Sequence, residues 1–149
     1  MTYLSRFYGK LTTGAGKRLK NPSKILNSFA NNQIINEFKK SIIKDLSKAK
    51  INLQKNKKLN ILDIGTGRQA LAFQKIYKGK IYHYDINKDN VQNLKIIIKK
   101  KKLETSIIST SADIVNCSKL KKNYFDLVYL QGIIQHFSDP SKGVFKIYF

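Results

Sequence analysis

A chain of 149 residues with 42% hydrophobic and 26% charged residues has the balance of one globular domain with a core of its own. Only 2 Pro and 8 Gly exclude a fibrous or extensively disordered chain, and no apolar run approaches the roughly 18 residues of a membrane helix. The formal net charge of +20 is compatible with an anionic partner, but it is Lys-rich and diffuse, with 14 basic against 2 acidic residues in 1–60 and 15 against 7 in 61–149.

Residues 1–27 are polar, basic and weakly patterned. Met1 to Lys10 has no apolar segment of the kind a secretory signal carries, and the expected compartment is the cytosol. Thr12-Thr13-Gly14-Ala15-Gly16-Lys17 has the look of a phosphate loop. It fails the pattern, because Leu11 stands where the first glycine belongs and Arg18 where a magnesium-binding hydroxyl belongs. The single cysteine, Cys117, excludes an internal disulfide, and one Cys with His83 and His136 is a poor ligand set for zinc.

Spacings of three, four and seven among Ile34, Ile35, Phe38, Ile42, Ile43 and Leu46 predict an amphipathic helix over 31–48. Residues 1–56 thus form a basic N-terminal segment with one helix, and residues 57–149 the main unit. After a turn at Asn56-Lys57-Lys58, residues 59–63 read as a buried strand. Gly65-Thr66-Gly67 is a tight turn, and a helix follows from about Arg68 to Lys78, with Ala70, Phe73 and Tyr77 inward and Gly79 ending it. Residues 80–85 are a strand. Asn87 caps a helix to Lys102 with the stripe Val91, Leu94, Ile97 and Ile98. Thr105 to Ser109 is a short strand, 114–123 a connection, and Phe125 to Leu130 an apolar strand. A last helix begins near Asp139-Pro140. Strands alternating with helices at this spacing predict a parallel sheet covered by helices on both faces, joined by right-handed crossovers.

Three of only 9 acidic residues, Asp63, Asp85 and Asp113, fall at or just after the carboxyl ends of successive strands. A doubly wound sheet forms its ligand crevice there. Asp85 lies 22 residues beyond Asp63, where a carboxylate accepts from a ribose diol. Gly65-x-Gly67-x-x-Ala70 satisfies the dinucleotide fingerprint, so a nicotinamide dinucleotide and S-adenosylmethionine both fit. Asp63 counts against the dinucleotide, because an anion beside a pyrophosphate is unfavourable, whereas it suits a cationic amino-acid moiety.

The motifs carry a resemblance. LDIGTGRQ (62–69), YHYDIN (82–87), SADI (111–114) and the segment from FDLVYL (125–130) through DPSKGVFKIY (139–148) stand in the order and spacing of class I S-adenosylmethionine-dependent methyltransferases, and the chain resembles their small-molecule branches over about residues 57–149. The resemblance implies a Rossmann-like three-layer αβα fold with a mainly parallel sheet. The C-terminal strands of the full seven-stranded fold are missing, and a partner or further segment is expected to cover the fourth-strand edge. It implies S-adenosyl-L-methionine as cofactor, with Asp63, Gly65, Thr66 and Gly67 around the methionine portion. Asp85 then takes the ribose hydroxyls and Ile86 the adenine face. Asp113 and Ile114 take the adenine edge and ring, and Gln131 lies near the methionine end. His136 matches one histidine of a family pair, as a pocket or packing residue; no catalytic residue is assigned.

Gln69 stands in place of a common third glycine, which makes the helix start bulkier. Gln131-Gly132-Ile133-Ile134 lacks the Asn/Asp-Pro-Pro-aromatic sequence of base-amino methyltransferases. The expected activity is methyl transfer to a small molecule, sugar or lipid. The alternatives are an RNA or protein methyltransferase docking through its basic N-terminus, an inactive cofactor-binding remnant, and a dinucleotide-binding fragment.

Overall fold

The structure is a computed structural model that describes residues 31–53, 57–114, 117, 120, 121, 123–130 and 133. The elements in chain order are α1 (Asn32–Lys48), β1 (Leu59–Ile64), α2 (Arg68–Ile76), β2 (Gly79–Asp85), α3 (Lys88–Lys100), β3 (Ile107–Ser111) and β4 (Leu127–Leu130). The strands form one sheet in the order β3-β2-β1-β4, all parallel. The chain moves from β1 outward to β3 and returns to the other side of β1. Strand order therefore reverses between β1 and β4, and an open α/β sheet binds ligands outside the carboxyl ends of its strands at such a point.

Register explains how the sheet separates its two faces. Leu127, Ile61, Ile81 and Ile107 align in one row across the four strands, and Tyr129, Asp63, His83 and Ser109 align in the next row on the same face. This face packs under the helices, sharing a core with Ile35, Phe38 and Ile42 of α1, Phe73 of α2 and Leu94 of α3. Fully burying a side chain such as Ile61 contributes roughly 1.5–3 kcal/mol, so the apolar row anchors the layer. The row above it is polar and lies directly below the turn after β1. On the opposite face, Leu62, Ile64 and Ile114 form a second cluster against Tyr82, Tyr84 and Phe125.

α1 is capped by Asn31, whose side chain accepts from the Gln33 N–H at 2.8 Å. Its buried face is narrower than predicted: Ile35, Phe38, Ile42 and Leu46 are buried, while Ile43 is 44% exposed, a helical turn fraction away from the stripe. The helix belongs to the same core as the sheet and is tied to β4 by the Tyr129 hydroxyl, which donates to Asp45 Oδ2 at 2.8 Å.

Gly79 does not end α2. The helix stops at Ile76, and Gly79 is the first residue of β2, paired with Leu59. Its φ is +125°, and a Cβ there would collide with the Leu59 backbone, so close strand approach rather than helix capping requires the glycine. β3 begins at Ile107, two residues later than predicted. α3 ends in a tight turn instead, with Leu103 N–H donating to Ile98 C=O and Lys102 N–H to Lys99 C=O. Only Leu127–Leu130 of the FDLVYL run joins the ladder, as an edge strand of the described sheet. The predicted last helix, residues 1–30, Gln131 and His136 lie outside the described residues. Among the described residues, no helix is long and apolar enough to cross a membrane.

Candidate functional site

β1 delivers its last residues into the turn Gly65-Thr66-Gly67, and α2 starts immediately after. Gly65 has φ +147° and Gly67 φ +84°, both favouring glycine. Gly67 also lacks space for a side chain: a Cβ there would stand 2.6 Å from Leu94 Cδ2 and 3.2 Å from His83 Nε2. The Gly65 N–H still donates to Tyr84 C=O at 3.1 Å, so the turn leaves from the end of the ladder. Gly67 is the N-cap of α2 and offers no side-chain acceptor to its first N–H groups.

Asp63 lies beneath this turn with no exposed surface. The Ala70 N–H at the start of α2 is turned toward the carboxylate, whose oxygens keep unfilled acceptor capacity. Burial pushes its pKa up to about 7, the neighbouring charge of Asp85 adds to the rise, and the Ala70 N–H at the start of α2 opposes it. Thr66 is half-buried, and its hydroxyl is enclosed without a hydrogen-bond partner. The turn therefore holds buried polar atoms whose bonding is incomplete.

Asp85 ends β2. Its Oδ1 accepts from the Asn87 N–H at 2.8 Å and its Oδ2 from Asn90 Nδ2 at 2.7 Å. These bonds fix the carboxylate yet leave each oxygen with further acceptor capacity. The next residue, Ile86, is 72% exposed, the most exposed large apolar side chain among those described. The Ala112 N–H donates to Asp85 C=O at 3.1 Å and brings Asp113, two residues past β3, beside the end of β2. Ile114 is buried against Leu62 and Ile64. Gln69 is 4% exposed, so its side chain packs within the protein instead of standing in the open crevice.

Asp63, Gly65, Thr66 and Gly67 thus gather at the end of β1, Asp85 and Ile86 at the end of the adjacent β2, and Asp113 and Ile114 past the end of β3, one strand further out. Sequence reasoning missed His83, Ser109 and Asn90. His83 Nε2 is 2.6 Å from Gly65 C=O and its Nδ1 is 2.8 Å from Ser109 Oγ. The signal was present: His83 shares the parity of Ile81 in the strand and therefore faces the core. Among the described residues, no cluster of three or more His, Cys, Asp or Glu side chains is placed to hold a metal ion.

A glycine turn at the reversal point of a parallel sheet, flanked by strand-end carboxylates, is the working end of a Rossmann-like α/β domain, the class this fold defines. Residues 55–147 match the family described as a methyltransferase domain, and the chain belongs to that family. Solved structures with the same fold include a SAM-dependent methyltransferase from Aquifex aeolicus, with 18% identity, TM-score 0.62 and coverage of 86% of this chain and 67% of that one. The plantazolicin methyltransferase BpumL, in complex with SAH, has 17% identity and TM-score 0.56 over 85% of this chain and 46% of that one. The 4+2 cyclase SpnF has 18% identity and TM-score 0.57 over 62% of this chain and 34% of that one. The chain thus spans from 34% to 67% of the length of these neighbours. A comparison with curated proteins finds no match.

Proposed function

We propose that this chain is the cofactor-binding part of an S-adenosylmethionine-dependent methyltransferase that acts in the cytoplasm on a small molecule, sugar or lipid. The observation that carries the reading is the fixed Asp85 carboxylate with the exposed Ile86 beside it, one strand from the glycine turn. A nucleoside needs that pairing of a diol acceptor with an apolar surface. In this reading Asp85 accepts from both ribose hydroxyls, Ile86 lies on the adenine face, and Asp113 and Ile114 take the adenine edge and ring. Gly65, Thr66 and Gly67 receive the methionine portion, with Gln131 nearby and Asp63 below as a counter-charge.

When bound, S-adenosylmethionine supplies a methyl group on a sulfonium, open to in-line displacement by an acceptor atom. The protein's part is position and exclusion of water, so a catalytic triad is not required. Asp63 stabilises cationic charge above it most strongly when ionised, and a bound cation in turn favours its ionised form.

Calorimetric titration with S-adenosylhomocysteine and with NAD tests the reading, with Asp85→Ala as control. Binding of S-adenosylhomocysteine that the substitution weakens, with no NAD binding, is the expected result. NAD binding alone would overturn it in favour of a dinucleotide fragment, and binding of neither in favour of a remnant. The net charge of +20 supports a second reading, an RNA-directed enzyme. Salt-dependent RNA binding that disappears on deletion of residues 1–30 would establish that reading.

A further inference from the structure

We infer that His83 is a positioning residue for the cofactor turn, holding the Gly65–Thr66 peptide in one orientation through a bridge anchored on Ser109. For its effect on ligand binding, this inference rests on the cofactor reading above. His83 has no exposed surface and Ser109 is 8% exposed, so water does not compete for either group. A carbonyl only accepts, and Nε2 lies 2.6 Å from Gly65 C=O, so Nε2 carries the ring proton. In the neutral ring Nδ1 is then an acceptor, and the Ser109 hydroxyl at 2.8 Å donates to it. Burial lowers the His83 pKa and so favours this neutral form.

The bridge runs from β3 through β2 to the turn after β1. Its three groups are fixed by adjacent strands, because Ser109 and His83 are register partners. There is no cis peptide among the described residues, so the Thr66 N–H points opposite to the Gly65 carbonyl, away from the imidazole. Holding the carbonyl down therefore holds that N–H up. The ring also fills the space beneath Gly67, where a Cβ would come within 3.2 Å of Nε2. The turn can neither flip this peptide nor sink into the sheet without breaking a buried hydrogen bond. Asp63 and the glycines say what the turn offers a ligand; His83 decides which way the turn faces.

The test compares His83→Gln, whose side-chain N–H can replace the Nε2 donor, with His83→Leu, which keeps bulk and removes the donor. Both are titrated with S-adenosylhomocysteine, and backbone amide exchange is followed at Gly65, Thr66 and Gly67 in the ligand-free proteins. His83→Leu is expected to weaken binding about tenfold and to speed exchange at these amides, while His83→Gln restores both to near the wild-type values. Equal binding and exchange in His83→Leu and wild type, or no rescue by Gln over Leu, would overturn the inference. If His83→Leu does not fold, nitrogen chemical shifts of the wild-type ring decide. An Nε2–H tautomer that becomes mixed in Ser109→Ala supports the bridge, and an Nδ1–H tautomer in the wild type overturns it. If the wild type binds no S-adenosylhomocysteine, the cofactor reading fails, and amide exchange in the two variants still decides the role of His83.

Discussion

Asp63 and His83 are register partners on adjacent parallel strands, and neither side chain has exposed surface. Burial moves their pKa values in opposite directions, raising the acid and lowering the base, so both are driven toward neutrality. The polar row under the turn therefore makes the stability of the ligand-free protein depend on pH in two opposed ways.

For Asp63, the folded state holds more protons than the unfolded state between the ordinary value of 3.8 and about 7. Its contribution is therefore fully present at low pH and is lost as pH rises through that window, by roughly 4 kcal/mol in all. His83 works the other way: below its ordinary value of 6.5 the unfolded chain takes up a proton that the folded protein resists, so stability falls with acidification. Asp63→Asn should raise the melting temperature at pH 8, remove the decline between pH 4 and 7, and leave the acid-side loss from His83 in place. Thermal unfolding from pH 4 to 8 measures this. The same variant should bind S-adenosylhomocysteine more weakly, because a neutral amide lacks the counter-charge.

Gly67→Ala meets two obstacles together. The φ of +84° disfavours any L side chain, and the new methyl would press on Leu94 Cδ2 and His83 Nε2. A loss of about 2 kcal/mol or more is expected in urea unfolding, with cofactor binding reduced beyond detection by calorimetry.

Asn90→Ala removes the donor on Asp85 Oδ2 without touching the crevice floor. The carboxylate stays on the strand end but gains rotational freedom. Affinity for S-adenosylhomocysteine should fall about threefold to tenfold, less than in Asp85→Ala, where about tenfold to a hundredfold is expected. Calorimetry on the two variants gives the ranking.

Lys102 has φ +55° just past α3, a left-handed position that commonly holds glycine. Its side chain is exposed. Lys102→Gly should stabilise the domain by up to about 1 kcal/mol, the relief of left-handed strain being partly offset by the greater freedom of glycine in the unfolded chain. The midpoint of urea unfolding should rise with no change in ligand affinity.

Much of the candidate site was legible because it lies on strand ends and turns with local signatures. Asp63, Gly65, Gly67 and Asp85 are marked by glycine spacing and by acids ending apolar runs, and those patterns depend on a few neighbouring residues. Asn87 was legible as a cap for the same reason. Gly79 was not, because its requirement comes from the Leu59 backbone, 20 residues earlier. Ile43 fits the helical period of α1 yet faces solvent, since the width of a buried stripe depends on what packs against it.

The order of strands and helices, the glycine turn and the strand-end carboxylates were determined by the sequence alone. Each arises from periodicity and backbone preference within about ten residues. Only the tertiary structure decided that Tyr129, Asp63, His83 and Ser109 form one polar row. It also decided that the row is sealed under helices and that His83 reaches the Gly65 carbonyl. Those facts depend on inter-strand register, which is set by how whole strands pack, and a shift of one residue would turn every member of the row to the other face.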